Sequence, residues 1–221
     1  MNILKRFYIA CIRFRHRHGY GVHSPFAFDL ITGVIYGRYH FYAYESLFKQ
    51  RLKLSLGLPH YSIRVDKLLF RLVNRFQPNL VVEVGTGSGL SIRYMAAAKK
   101  EARYVTFDVE RHEDVSLMLK EASVEYQTFH AEDAKELLQN FPSIDLLHIA
   151  HTPNYEAVFE EALSHVSSKS LFVVEGIYES EAKQAWWKQV VADSRTGVTF
   201  DLYEMGLVFF DTSRPKQHYV A

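Results

Sequence analysis

From about residue 78 onward, apolar runs of strand length alternate with stretches of helical periodicity, and this alternation constrains the fold more than any other feature. The strand-like runs are 79–84, 103–108, 124–129, 144–150 and 171–175, each rich in Val, Leu, Ile, Phe or Tyr. Between them, 90–100, 114–122, 134–140, 155–166 and 179–192 read as helices. Several runs are apolar on both parities, as a sheet covered on both faces requires. Strands spaced by helical segments predict a parallel sheet with crossover helices.

The rhythm breaks near the end. Runs 198–203 and 207–211 are separated only by Glu204-Met205-Gly206. Three residues cannot carry a parallel crossover, so this pair is expected as an antiparallel hairpin. The expected fold is α/β, doubly wound and Rossmann-like. Its seven-stranded sheet is mostly parallel, with one strand reversed by the C-terminal hairpin. Residues 1–77 read as an N-terminal helical and aromatic cap belonging to the same domain, and 78–221 as the sheet-bearing part. Within the cap, DKLLFRLVNRF (66–76) sets Leu68, Leu69, Leu72 and Val73 on one helical face. Ahead of it, GYGVHSPFAFDLITGVIYGRYHFYAYESLF is dense in aromatics and punctuated by Gly19, Gly21, Ser24-Pro25 and Gly33.

The balance of 26 basic against 25 acidic residues argues against a chain built to coat nucleic acid. The single cysteine, Cys11, rules out an intramolecular disulfide and a cysteine-rich zinc site. The apolar stretch 7–12 is short and is followed by Arg13, Arg15 and Arg17, which makes a poor signal peptide. No window approaches the roughly 20 apolar residues of a membrane span. These features point to a cytoplasmic protein. The basic residues of 13–18 read as the solvated face of an N-terminal helix rather than an RNA or membrane contact. The aromatic surplus of the cap fits either a lined cavity or a homodimer seam.

The chemistry centres on VVEVGTGSGLS (81–91). Gly85 and Gly87 match the start of the dinucleotide pattern G-x-G-x-x-G, but the third glycine falls one residue early, at Gly89. Such a turn needs glycine because its backbone angles resist a Cβ and because a ligand must approach the main chain closely. A dinucleotide also needs its pyrophosphate on the following helix N-terminus; a ligand without phosphates does not. Asp108 ends the second strand-like run, where its carboxylate can reach ribose hydroxyls beside the glycine turn. That geometry serves NAD and S-adenosylmethionine equally. Asp133, after the third run, sits at the same edge, to meet an adenine amino group or to cap the next helix.

VVEVGTGSGLS, the ending YVTFD, the turn Glu132-Asp133-Ala134 and the terminal hairpin together resemble class I S-adenosylmethionine-dependent methyltransferases, over about residues 60–212. GYGVHSPFAFDLIT and VTFDLYEMGLVFF are similar to a bacterial subgroup of these enzymes, typical of Bacteroidetes. The resemblance implies S-adenosylmethionine as cofactor. It implies Glu83, Gly85, Thr86, Gly87, Ser88 and Gly89 beneath methionine and ribose, Asp108 on the ribose, Asp133 and Ala134 at the adenine, and Ala150 beside them. Relatives of the catechol O-methyltransferase type carry an Asp at the end of the fourth strand and Asp-Asn or Asp-Asp at the end of the fifth. Those residues hold a divalent cation. This chain has Ala150 at the first place and Glu175-Gly176 at the second. No metal site is therefore expected, and the catalytic residues are expected to be His151 as general base and Glu175 orienting the substrate.

The function so implied is methyl transfer to an oxygen or nitrogen of a small molecule, without a metal. The alternative is a protein that binds the cofactor without turnover. An NAD-linked reductase ranks third, against the displaced glycine and the hairpin. Tyr20, His23 and Phe26 are candidates for a lid, set against a docking loop whose Phe26 and Phe28 plug the core. His148 reads as a hydrogen-bonded core histidine. Of Trp186 and Trp187, one is expected against the sheet and one outward.

Overall fold

The computed structural model describes residues 19–53, 57–129 and 134–221. Cys11, the basic residues of 13–18, Glu132 and Asp133 lie outside them.

Among the described residues, eight strands form one sheet: β1 (Leu80–Val84), β2 (Arg103–Asp108), β3 (Val124–Thr128), β4 (Leu146–Ile149), β5 (Leu171–Glu175), β6 (Thr199–Asp201), β7 (Met205–Phe209) and β8 (His218–Val220). Their order is β3-β2-β1-β4-β5-β7-β6-β8. The first five run parallel, and β7 pairs antiparallel with both β5 and β6. The seven expected strands and the terminal hairpin are thus present, and β8 adds an eighth beside β6. Three residues with no apolar alternation gave no sequence signal for it. The hairpin turn also falls earlier than expected, since Met205 and Gly206 already pair with Glu175 and Val174.

The helices are α1 (Pro25–Asp29), continued by a π-helical turn over Leu30–Ile35, then α2 (Ala43–Lys53), α3 (Ile63–Phe76), α4 (Leu90–Ala98), α5 (Glu113–Glu121), α6 (Ala134–Leu138), α7 (Tyr155–Ala162) and α8 (Glu181–Ala192). Ser62 caps α3 by accepting from the Val65 amide. Its apolar stripe, with Leu69, Leu72 and Val73 fully buried, packs into one core with Val81, Leu146 and Val173 of the sheet. The opposite parity of the same strands, Val82, Leu147 and Val174, forms a second core with Val158 and Phe159 of α7 and Trp187 of α8. Both tryptophans are buried, which corrects the expectation that one faces outward. Trp186 packs edge-on against Phe159, and Trp187 lies against Gly206, where no side chain intervenes.

The cap docks on the β7 side of the sheet. Phe26 meets Phe209 edge-on with ring centroids 5.1 Å apart, as a docking loop requires, whereas Phe28 stays half exposed. Tyr20 is 74% exposed and His23 also faces solvent, so neither lines a closed lid. Phe41 and Tyr44 pack on Phe70 of α3, while Tyr39 and Tyr42 are exposed. Among the described residues, no helix is long and apolar enough to cross a membrane.

Candidate active site

The strand order reverses between β1 and β4, and in open α/β sheets that switch point is where a ligand crevice opens at the carboxyl edge. The glycine turn leaves β1 there. Gly85 and Gly87 take φ of 94° and 52°, backbone that L side chains resist. Their lack of a Cβ is used directly. A Cβ on Gly85 would stand 2.5 Å from the His151 amide nitrogen, and one on Gly87 would run into the Pro59 carbonyl oxygen. Gly89 opens α4 with φ 71°.

The neighbouring strand grips this turn. The Gly85 amide donates to the Phe107 carbonyl at 2.8 Å. The Gly87 amide donates to Asp108 Oδ2 at 2.8 Å, and the Val109 amide to Asp108 Oδ1 at 2.7 Å. The expected meeting of Asp108 with the glycine turn is thus observed, with each oxygen keeping a further lone pair. The Ser88 amide donates to the Pro59 carbonyl at 2.9 Å. Ala150 continues β4 by donating its amide to the Val84 carbonyl at 2.9 Å. Asp133 lies outside the described residues, and the backbone of Ala134 opens α6.

Beneath the turn lies a buried polar row on the α3 side of the sheet. The register sets Glu83 beside Thr106 on one neighbour and His148 on the other. Glu83 Oε1 accepts the Thr106 hydroxyl at 2.8 Å, and the Thr106 and Thr86 hydroxyls meet at 2.7 Å. Thr86 therefore turns its side chain into this network. His148 lies fully buried between two carboxylates, Nδ1 2.7 Å from Glu83 Oε2 and Nε2 3.1 Å from Glu175 Oε1. Burial alone would lower its pKa; the hydrogen bonds to Glu175 and Glu83 reverse this and raise it to about 9. His148 is thus an imidazolium donating from both nitrogens at neutral pH.

Asp66 of α3 closes the row from above. It accepts the Ser91 hydroxyl at 2.8 Å and is paired with Arg51, which also donates to the Tyr61 carbonyl. Burial raises the pKa of both Asp66 and Glu175, against the pull of their partners. Three buried carboxylates thus face two cations, and Glu175 Oε2 has no hydrogen-bond partner among the described residues. The row holds one more acid than it has cations, an arrangement that favours a further positive charge nearby.

His151 follows β4 and stacks on Tyr61, centroids 4.3 Å apart and planes within 12°. Burial, then the charge of His148, lowers the His151 pKa to about 4, so its imidazole is neutral at physiological pH. Burial, then Glu175, Glu179, Glu83 and Asp66, raises that of Tyr61 and keeps its phenol protonated. Sequence reasoning missed Tyr61, Asp66 and Arg51. A signal existed for Asp66, an acid placed three and seven residues before Leu69 and Val73 on the apolar stripe. A cavity of about 470 Å³ lined by Phe107, Phe129 and Phe141 lies on the other face of the sheet, away from this row.

Residues 82–177, which hold the glycine turn, Asp108, the polar row and His151, match the family model described as a methyltransferase domain. Over that stretch, less than half of the chain, the sequence is similar to methyltransferase domains. No curated protein matches the chain by sequence. Among solved structures, the O-methyltransferase TomG of Streptomyces achromogenes, in complex with S-adenosylmethionine, superposes with a TM-score of 0.60 at 19% identity. That match covers 78% of this chain and 91% of the other. The O-methyltransferase of Bacillus cereus, in complex with S-adenosylhomocysteine, gives 0.61 at 19% identity, covering 78% and 92%. A methyltransferase of Geobacter sulfurreducens gives 0.58 at 20% identity, covering 77% and 88%. The chain therefore shares the fold of these methyltransferase structures.

Proposed function

We propose that the chain transfers a methyl group from S-adenosylmethionine to an oxygen or nitrogen of a small molecule, without a metal. The observation that carries this reading is the glycine turn at the switch point with the Asp108 carboxylate fixed on its Gly87 amide. The residues present suit the cofactor. The spare lone pairs of Asp108 can accept ribose hydroxyls, and the row below, with Glu175 Oε2 unpartnered among the described residues, favours a cation nearby. S-adenosylmethionine, when bound, supplies an electrophilic methyl on a positively charged sulfur.

The protein's own part is to hold a nucleophile in line, exclude water and accept a proton. We assign proton acceptance to His151. A base of low pKa suffices because an O–H or N–H proton becomes strongly acidic as its heavy atom gains a methyl group. Glu175 acts through His148, which its Oε1 holds, and so orients the site from within the row. The absence of a metal step is supported by the donor set: Ala150 and Gly176 offer no side-chain oxygen, and Glu175 is engaged with His148.

Calorimetry tests the cofactor. S-adenosylmethionine and S-adenosylhomocysteine are expected to bind and NAD not to, and Asp108→Ala to weaken the adenosyl ligands at least about tenfold by removing a charged acceptor. Unchanged affinity in that variant would refute the ribose assignment. Turnover with labelled cofactor on pooled metabolites tests catalysis, with His151→Ala expected to lower kcat by about 10²-fold or more. Full binding with no methyl transfer to any pool would leave the cofactor-binding protein as the better reading. Inhibition by chelator would overturn the metal-free step.

A further inference from the structure

Beside the end of β5, a second cavity of about 240 Å³ is walled by the π-helical turn and its exit, the first half of α3 and the β6–β7 turn. Its apolar floor includes Ile35, Val65, Leu68 and Met205. Four cationic side chains line it, Arg38, Arg64, Lys67 and Arg71, against one acid among the described residues, Glu204. None of the four lies in an ion pair with an acid among the described residues, although eleven such pairs occur elsewhere. Arg71 is held by the Val34 and Ile35 carbonyls at 2.6 and 3.1 Å, and Lys67 sits over the Tyr44 ring. Arg38 and Arg64 are exposed and make no hydrogen bond among the described residues.

Like charges gathered from two segments repel one another, and a surface held only for solubility would intersperse acids. The cavity is concave with an apolar floor, which suits a compact anion on a short organic body rather than the flat run of a polyanion. Its location is equally specific. Met205 pairs with Glu175, and the Gly176 amide donates to the Glu204 carbonyl at 2.7 Å. Arg64 lies three residues beyond Tyr61, which stacks on His151. The cavity therefore adjoins the edge where the nucleophile must lie. Arginine forks bind carboxylate and phosphate oxygens in pairs, which would fix an acceptor's orientation as well as its presence.

We propose that this cavity anchors the anionic group, carboxylate or phosphate, of the methyl acceptor, with Arg38 and Arg64 as its principal ligands. This rests on the methyl-transfer reading for the acceptor's identity, but the binding itself does not. The experiment labels the methionine methyl groups with carbon-13 and follows Met205 by NMR while inorganic phosphate or benzoate is added at constant ionic strength. Saturable movement of the Met205 signal is expected with at least one of the two, with Met95 and Met118 still, and the arm that saturates names the anion. In the double variant R38Q/R64Q the affinity is expected to fall at least tenfold, while S-adenosylmethionine affinity by calorimetry stays unchanged. A Met205 signal that never saturates, or one that saturates equally in the double variant, would overturn the proposal. Loss of cofactor binding in the unmodified protein would refute the methyl-transfer reading while leaving the anion titration to stand or fall by itself.

Discussion

At the residue scale, the decisive group is His148, a buried cation held by Glu83 and Glu175. Its pKa is about 9 in the fold against an ordinary 6.5, so the folded state binds a proton more tightly than the unfolded chain. That contribution to stability is complete below about pH 6.5 and is lost as pH rises through about 9. Urea unfolding at pH 6 and pH 9.5 is expected to show a loss of a few kcal/mol in the wild type, flattened in His148→Gln. Equal slopes for both proteins would mean that the histidine is neutral. His151 works in the opposite sense. Its lowered pKa of about 4 favours the neutral form, a contribution present above pH 6.5 and lost as pH falls toward 4. Sequence reasoning named Glu83 and Glu175 as site residues and His148 as a bonded core histidine, yet could not join them. The connection needs β4 between β1 and β5 and a register that brings 83, 148 and 175 to one face, and neither is written in any one strand.

At the element scale, what was legible followed periodicity. α3, α5, α7 and α8 lie where apolar spacing placed them, within a few residues at their ends, because each buries a continuous stripe against the sheet. The π-helical turn was not legible: the Tyr36 amide reaches back to the Ile31 carbonyl, a bond that no residue pattern announces. The glycine turn was legible as a turn, but the segment pressing on it was not, since Pro59–Tyr61 belongs to no regular element. That pressure gives a test. Gly85→Ala puts a methyl at φ 94° and 2.5 Å from the His151 amide nitrogen, whereas Gly21→Ala, at φ 75°, meets nothing within 4 Å. Both carry a backbone cost of about 1–3 kcal/mol. Only the first adds a collision with main chain that cannot rotate away. Thermal unfolding should therefore place Gly85→Ala several degrees below Gly21→Ala; coincident transitions would show that His151 does not press on the turn.

At the scale of the whole molecule, the cap completes the sheet rather than decorating it. One core runs without a break from Ile31, Leu69 and Val73 through Val81, Leu146 and Val173 to Phe200 and Leu207. The polar row is closed by the same cap, since Asp66 and Arg51 supply its upper charges. Burial of each large apolar side chain is worth about 1.5–3 kcal/mol. Removing residues 1–77 takes away ten fully or nearly fully buried members of that core, from Ala27 to Val73. The loss exceeds the whole stability of about 5–15 kcal/mol typical of a folded chain. It also leaves the Glu83–His148–Glu175 row facing water on the side α3 now covers. A chain of residues 78–221 alone is therefore expected to keep much of its far-ultraviolet circular dichroism while losing the near-ultraviolet signal of Trp186 and Trp187. It should bind a hydrophobic dye and unfold without a sharp transition. A cooperative transition in that shortened chain, with ordered tryptophans, would show that the sheet sustains itself and that the cap is a separate unit resting on it.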